Sequence, residues 1–266
     1  MALLLLLAAG PAWAGEIAAD ALPARVAADA PQVLVLGEIH DNPAHHRTQA
    51  AAVAALRPRA LVFEMFGPEE AARVTPAIMT DPAALALALE WEGSGWPDFA
   101  DYAPIFAAAP GARVYGAALP RDQVRRAMRE PAAQVFGPEA GRYGLDRAYP
   151  AQLQARLEAE VQESHCGALP PALLPGMVAA QRLRDAAFAD TVLRALDETG
   201  GPVALITGSG HARVDLGVPA LLRAARPGLR LLSLGQTEPP AAADQPYDLW
   251  VVAPAPPRAD PCAAFQ

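Results

Sequence analysis

The sequence predicts an α/β protein with a mainly parallel β-sheet flanked by helices. Short, almost continuously apolar runs recur along the chain, and longer Ala-, Leu- and Arg-rich stretches separate them. An apolar run without alternation is typical of a strand that is covered on both faces. Strands that alternate with helices form βαβ units, whose crossovers are right-handed.

Six apolar runs are predicted strands. They are Gln32–Gly37, Ala60–Glu64, Arg113–Leu119, Val203–Gly208, Leu229–Gly235 and Tyr247–Pro254. A helix is predicted between the first two strands, with Asp41 or Asn42 as its N-cap and Pro43 near its first position. Residues from about 121 to 199 contain three helical stretches and no convincing strand, so we expect a helical cap insertion over the sheet edge.

The N-terminus resembles a secretory signal peptide over residues 1–14. A Leu-rich core is followed by Gly10-Pro11 and by the small-x-small pattern Ala12-Trp13-Ala14, although the usual basic residues are missing. We expect export with cleavage near Ala14 and a single domain over residues 15–266. The apolar run is too short for a permanent anchor, so we expect no transmembrane anchor in the mature chain. The alternative is an ordinary buried or disordered N-terminus.

The charge balance excludes one class of partner. The chain has 21 basic residues, all of them arginine, against 29 acidic residues, for a net charge of −8. Nucleic-acid binding and attraction to anionic membranes both need a basic surface, so we expect no nucleic-acid partner. With 53% hydrophobic residues the chain can form a substantial core.

The chain has two cysteines, Cys166 and Cys262. In an exported protein an even number of cysteines favours a disulfide. A bridge between these two would close a loop of roughly 100 residues and contribute about 4–5 kcal/mol in the chain-entropy model. The alternative is two separate buried thiols.

Ionisable side chains follow four of the predicted strands. In chain order they are Glu38, His40, Glu64, Arg121 and His211. Ligands bind outside the carboxyl ends of the strands in an open parallel sheet. Because four strands deliver these groups to one edge from distant positions in the chain, we expect a shared site there.

Two chemistries fit Glu38, His40, Glu64 and His211. Two carboxylates and two imidazoles suit a divalent metal such as Zn, Mn or Fe. They also suit metal-free acid/base catalysis, in which His or Glu activates water. The structural alternatives are a surface loop, a helix cap or an ion pair. The sequence has neither a G-x-S-x-G nucleophile elbow nor a P-loop, which excludes those two classes of site.

Four further residues are secondary candidates. His46 lies in the first turn of the predicted helix, where it either faces the site or is solvated. Arg121 either holds an anion or forms an ion pair with Glu64. Asp185 either reaches the site from the cap or forms an ion pair on its helix. His165 lies beside Cys166 and has no partner that the sequence identifies.

Several motifs together resemble the ChaN family of the Tiki/TraB/erythromycin-esterase superfamily. They are LGEIHDNPAHHRTQ, VFEMF, WPDFADYAPIF, ESHCGALPPALLPGMVAAQRLRDAAFA, GSGHARVDLGVP and RADPC. They occur in the family's order from about Gln32 to Cys262. The resemblance implies an α/β core with a helical cap and a haem-binding protein of the bacterial envelope. It also implies a periplasmic location and a role in haem or iron uptake, with an outer-membrane haem-uptake system as a partner.

The resemblance also implies haem ligands and an alternative activity. Haem ligation in the family is associated with Tyr and with homodimers that stack haems. The candidate ligands here are Tyr102, Tyr143, Tyr149 and His165. The superfamily includes metal-dependent peptidases and esterases built on Glu-x-His and Gly-x-x-His elements, which correspond to Glu38, His40, Glu64 and His211. The alternative function is therefore a metal-dependent hydrolase, and whether the chain is an enzyme stays open.

Overall fold

The computed structural model describes residues 14–260 and 262–263, and the strands of this part form one parallel sheet. The strands are β1 (Gly15–Glu16), β2 (Val33–Glu38), β3 (Ala60–Phe63), β4 (Arg113–Gly116), β5 (Val203–Gly208), β6 (Leu231–Thr237) and β7 (Leu249–Val252). Their order across the sheet is β1-β7-β6-β2-β5-β3-β4, and each neighbouring pair is parallel. The predicted α/β fold is therefore confirmed.

Each of the six predicted strands is present, with ends shifted by a few residues. β1 is missing from the prediction, because two residues are too short to show a pattern. β2 and β5 lie side by side near the middle of the sheet, in a register that places Glu38 beside Gly208. Because all strands run in the same direction, their carboxyl ends meet at one edge.

Ten α-helices surround the sheet in the described residues. They are α1 (Leu22–Asp29), α2 (Pro43–Leu56), α3 (Pro68–Ala71), α4 (Pro82–Ala88), α5 (Phe99–Ala107), α6 (Arg121–Ala127), α7 (Ala132–Phe136), α8 (Ala151–Ser164), α9 (Leu174–Thr199) and α10 (Val218–Ala225). Two short 3-10 segments, Pro138–Tyr143 and Pro171–Leu173, precede α8 and α9.

The sheet has one apolar core on each face. Successive strand residues point to opposite faces. Leu34 and Leu36 of β2 therefore pack in the core that includes residues of α1, α2 and α5. Val33 and Val35 belong to the opposite core, which includes residues of α9 and α10. This two-sided burial explains why the central strands are continuously apolar.

The segment between β4 and β5 is helical, but α9 differs from the expected cap. This 26-residue helix contacts β3, β4 and β5 and buries Val192 and Leu193 in the core. It is therefore one of the layers that cover the sheet. α6, α7 and α8 pack against it from outside. The consequence for the site is that α9 runs past the strand ends and carries residues to them.

The start of α2 resolves the choice between two capping residues. The Asn42 side chain accepts a hydrogen bond from the Ala44 N–H at 2.9 Å, and Pro43 is at the first helical position. Asp41 instead forms an ion pair with Arg258 of the C-terminal segment, at 2.8 Å. Asn42 is therefore the cap, as its side chain satisfies one of the free N–H groups of the first turn.

Cys166 and Cys262 form a disulfide, with a Cα–Cα distance of 5.5 Å. The predicted pairing is present in the structure, and the alternative of two separate thiols is wrong. The bond attaches the C-terminal segment to the residues that follow α8. Residues 1–13 of the predicted signal peptide lie outside the described residues. No helix among residues 14–260 and 262–263 is long and apolar enough to cross a membrane.

Candidate functional site

The carboxyl ends of β2, β3 and β5 bring the four predicted site residues into one cluster. Gly208, the last residue of β5, lies at its centre. A Cβ atom added to Gly208 would lie 3.0 Å from His40 Nε2 and 3.7 Å from Glu64 Oε2. The missing side chain therefore lets the imidazole and the carboxylate approach across the sheet edge.

Glu38 is buried and has a hydrogen-bonding partner at each oxygen. Its Oε1 accepts from the Tyr102 hydroxyl at 2.5 Å and lies 2.8 Å from His40 Nδ1. Its Oε2 accepts from Gln49 Nε2 at 2.7 Å. The predicted candidate His46 is also buried here, with its Nε2 3.6 Å from Glu38 Oε1. His46 therefore faces the cluster and is not solvated.

Glu64 is held by groups from three different elements. Its Oε2 accepts from Thr207 Oγ1 at 2.7 Å and from the Gly208 N–H at 2.8 Å. Its Oε1 accepts from Nη2 of Arg184, which lies on α9, and is 3.4 Å from His211 Nε2. The expected ion pair of Glu64 therefore exists, but its arginine is Arg184.

Asp185 reaches the site from α9, which was one of the two alternatives for this residue. Its Oδ1 lies 2.7 Å from His211 Nδ1, and both side chains are buried. His211 thus lies between two carboxylates, Asp185 on one ring nitrogen and Glu64 on the other.

The electrostatics favour charged imidazoles at His211 and His40, whereas burial raises the pKa of Asp185 even though His211 and Arg184 lower it. Burial lowers the pKa of His211, but the carboxylates of Glu64 and Asp185 outweigh it and raise the pKa to about 9. Burial also lowers the pKa of His40, while the hydrogen bond to Glu38 and the charge of Glu64 raise it above its usual value.

The pKa values of the two glutamates shift in the complementary direction. Burial raises the pKa of Glu64, yet His211 and Arg184 bring it well below its usual range. Burial likewise raises the pKa of Glu38, and the hydrogen bond from His40 together with the nearby His46 ring lowers it to below the usual value. The shifts of these glutamates, His40 and His211 favour carboxylates beside charged imidazole and guanidinium groups.

The residue types suggested a divalent metal, but in this structure the cluster is held together by its own contacts. Both oxygens of Glu38 and of Glu64 accept hydrogen bonds or ion pairs. His211, whose neighbouring carboxylates raise its pKa, would have to lose its proton before it could bind a metal. Within residues 14–260 and 262–263 no group of three or more His, Cys, Asp or Glu side chains is arranged to hold a metal ion.

Comparison with known proteins identifies the family. The family model described as haem-binding uptake, Tiki superfamily, ChaN matches residues 25–222. The chain belongs to this family. The expectation from the sequence motifs is therefore confirmed, and the chain is a haem-binding uptake protein of the ChaN family. No curated protein matches the chain.

Two solved structures resemble this ChaN-family chain. One, entitled cofacial heme binding to ChaN of Campylobacter jejuni, is 20% identical over 86% of this chain and 90% of that chain, with a TM-score of 0.66. The other is the type III effector HopBA1, 13% identical over 89% of this chain and 93% of that chain, with a TM-score of 0.49. The first supports the same fold.

Two of the predicted haem ligands of this ChaN-family protein are buried and donate their hydroxyls to carboxylates of the protein. Tyr102 is completely buried and donates its hydroxyl to Glu38. Burial and the charge of Glu38 raise its pKa far above the usual value, which opposes the phenolate that an iron ligand requires. Tyr143 is also buried and donates to Asp190 at 2.9 Å. Neither hydroxyl is available to an external ligand in this structure.

The other two candidates, Tyr149 and His165, line the same cavity. This cavity, of about 410 Å³, lies between α8 and α9 and is called the α8–α9 cleft below. Its apolar lining includes Leu157, Val161, Met177, Val178 and Leu216. Three arginines also line it, namely Arg182, Arg184 and Arg213. Arg182 stacks over the Tyr149 ring with 3.9 Å between its guanidinium carbon and the ring centroid.

Some site residues could not be found by sequence reasoning. Arg184 precedes Asp185 on α9, and nothing in the local pattern marks it as the partner of Glu64. In the sequence Thr207 is only part of an apolar strand, and Gln49 is only part of the body of α2. These residues share only their position, since each lies at or faces the end of a strand. That position is known only after the helices have been placed against the sheet.

Proposed function

We propose that haem binds in the α8–α9 cleft, with His165 as its axial ligand. The support is the chemistry of the lining, which combines apolar walls with arginines and two iron-binding side chains. A porphyrin needs apolar walls for its ring and positive charge for its two propionates. The cleft volume of about 410 Å³ falls within the usual range for small-molecule sites.

A hydrogen bond of the His165 ring favours this residue over Tyr149 as the haem ligand. Its Nδ1 lies 2.8 Å from the Val161 carbonyl oxygen, which can only accept. Nδ1 therefore carries the proton, and Nε2 keeps the lone pair that binds iron. Burial raises the pKa of Tyr149, the competing candidate, even though the adjacent Arg182 lowers it. The free Nε2 of His165 is therefore favoured over the Tyr149 hydroxyl as the ligand.

The disulfide supports a rigid ligand and an exported protein. Cys166 follows His165 directly and is bonded to Cys262. The bond fixes the segment that carries the imidazole, and such bonds persist in oxidising compartments. We propose that the chain acts in the periplasm after removal of the leader, where it exchanges haem with an outer-membrane uptake system.

We also propose a homodimer, which the cofacial heme binding of the relative supports. The Campylobacter structure is entitled cofacial heme binding. The α8–α9 cleft opens to solvent, so a haem held there presents one face outward. We propose that two chains each hold one haem and that the two outward faces stack.

A haemin titration tests the ligand. Wild-type protein is expected to shift the Soret band and to saturate at one haemin per chain. His165→Ala is expected to change the position of the Soret band and to weaken binding at least tenfold, since iron loses its protein ligand. Tyr149→Phe is expected to bind as the wild type does.

The matched control is His40→Gln, which removes a partly exposed histidine that lies outside the α8–α9 cleft. It is expected to leave the spectrum unchanged. A wild-type spectrum in His165→Ala, or a loss of binding in Tyr149→Phe, would refute the assignment of His165. Light scattering after size exclusion is expected to show a dimer with haemin and a monomer without it, and a monomer in both states would refute the stacked dimer.

A further inference from the structure

A second cavity lies at the carboxyl ends of the strands, outside the α8–α9 cleft. It has a volume of about 460 Å³ and is called the strand-end cavity. Its lining includes Glu64 and Arg184 from the buried cluster, Trp96 from the loop before α5, and Arg121 from the start of α6. It contains neither Tyr149 nor His165, although Arg184 lines both this cavity and the α8–α9 cleft.

Two arginines in its lining have hydrogen-bond donors without a protein partner in the described residues. Arg184 uses Nη2 for Glu64, while its side chain is 32% exposed, and no protein partner holds its other nitrogens in the described residues. Arg121 is exposed and forms neither an ion pair nor a side-chain hydrogen bond within residues 14–260 and 262–263. Two guanidinium groups on one wall can bind a carboxylate from two sides.

The carboxylates on the same wall already have partners. Glu64 is neutralised by Arg184 and His211. Glu70 accepts from the Gly67 N–H at 3.0 Å, and Glu90 forms an ion pair with Arg73 at 2.6 Å. A cationic ligand would have to displace these partners, whereas an anionic ligand would use donors that have none.

The rest of the lining is aromatic and aliphatic. Phe66 and Phe188 are buried, and Leu119 and Val124 complete the apolar part. The Trp96 indole is fixed by the hydrogen bond from its Nε1 to the Met65 carbonyl oxygen at 2.7 Å. A flat apolar group can pack against such a wall without ordering a mobile side chain.

We propose that the strand-end cavity binds a small aromatic carboxylate, with its carboxylate between Arg184 and Arg121 and its ring against Trp96. The site is adjacent to the proposed haem cleft, and Arg184 lines both cavities. It resolves the alternatives for Arg121, since Arg184 takes the ion pair with Glu64 and leaves Arg121 available for an anion. The position at the carboxyl ends of a parallel sheet is the usual one for a ligand in this architecture.

The test uses 2-naphthoate as the probe and 2-naphthamide as its uncharged counterpart. Both are titrated into haem-free full-length protein, and binding is followed by calorimetry and by quenching of tryptophan fluorescence. We expect 2-naphthoate to bind at least tenfold more tightly than the amide. Equal affinities, or no binding of 2-naphthoate at millimolar concentration, would overturn the proposal.

Two arginine variants on the same helix give a matched comparison. Arg121→Gln removes the proposed anchor, while Arg125→Gln makes the same charge change at a residue of α6 that does not line the cavity. We expect at least fivefold weaker binding of 2-naphthoate for Arg121→Gln and less than twofold for Arg125→Gln. The same loss in both variants would show a general charge effect and contradict the site.

A third measurement locates the probe independently. Trp96→Leu keeps an apolar side chain and is expected to weaken binding and to abolish most of the fluorescence quenching. Quenching by 2-naphthoate that persists unchanged in Trp96→Leu would place the probe elsewhere and would contradict the site.

Discussion

The double change Asp185→Asn with His211→Gln removes the two charges of a buried pair while it keeps side chains of similar size. The two groups are 2.7 Å apart in the wild type, and both are buried. Changing both residues avoids leaving Asp185 or His211 charged without the other, while Glu64 loses His211 and keeps its ion pair with Arg184. The comparison with the wild type then isolates the contribution of the charged imidazole to stability.

The magnitude follows from the pKa of His211. The folded protein raises this pKa from 6.5 to about 9, because Glu64 and Asp185 outweigh the effect of burial. A difference of this size corresponds to about 3 kcal/mol of stability, at about 1.4 kcal/mol per pH unit. Since the folded pKa is the higher one, the contribution is complete below pH 6.5 and is lost as the pH rises through about 9.

The assay is urea unfolding followed by circular dichroism at pH 6, 7.5, 9 and 10, with the disulfide intact. The difference in unfolding free energy between wild type and double variant is expected to fall by about 3 kcal/mol from pH 6 to pH 10. Titrating groups remote from the pair are common to both proteins and cancel in the difference. His40, whose pKa the charge of His211 lowers, does not cancel, so both proteins carry His40→Gln in this comparison. A difference that stays constant within about 1 kcal/mol over this range would refute the charged state of His211.

Two further changes test contacts around the site. Replacing Cys166 and Cys262 by serine is expected to lower the free energy of unfolding by up to about 4–5 kcal/mol, because a loop of 96 residues is no longer closed; urea midpoints with and without dithiothreitol measure it, and equal midpoints for wild type and variant would contradict it. Tyr102→Phe removes the 2.5 Å hydrogen bond to Glu38 and is expected to cost about 2 kcal/mol without a change in the haem spectrum; an altered Soret band would show that Tyr102 touches haem after all.

The strand-end residues could be predicted because the pattern that marks them lies within a few neighbouring residues of the sequence. Glu38 and Glu64 interrupt or end continuous apolar runs, and a buried carboxylate at such a point needs partners. The Gly208–His211 turn follows another run in the same way. A parallel sheet then places them at one edge, so the convergence follows from the fold class alone.

The partners of these residues could not be predicted, because helix placement decides them. Sequence pattern alone does not favour Arg184 over Arg121 as the partner of Glu64, and the path of α9 across the strand ends decides it. The choice between a metal and a metal-free cluster also depends on the number of donors around each carboxylate. The sequence supplies residue types, while the number of hydrogen bonds per oxygen depends on packing.

For the haem ligands too, the sequence supplied the candidate residues and the tertiary structure distinguished between them. Tyr102 and Tyr143 match the ligand type that the family resemblance implies, yet burial and the acceptors Glu38 and Asp190 occupy their hydroxyls. His165, by contrast, has a defined tautomer because a backbone carbonyl of the preceding helix accepts from its ring. Exposure and hydrogen bonding, rather than residue type, separate these candidates.

The sequence by itself determined the parallel α/β fold, the family and the edge of the sheet that carries the ionisable cluster. Each of these depends on patterns that act over a few neighbouring residues or on motifs in a fixed order. Only the tertiary structure decided that Arg184 and Asp185 complete the cluster and that Arg121 is free of it. The physical reason is that the energy of a buried charge depends on every group within a few ångströms, and those groups come from distant parts of the chain.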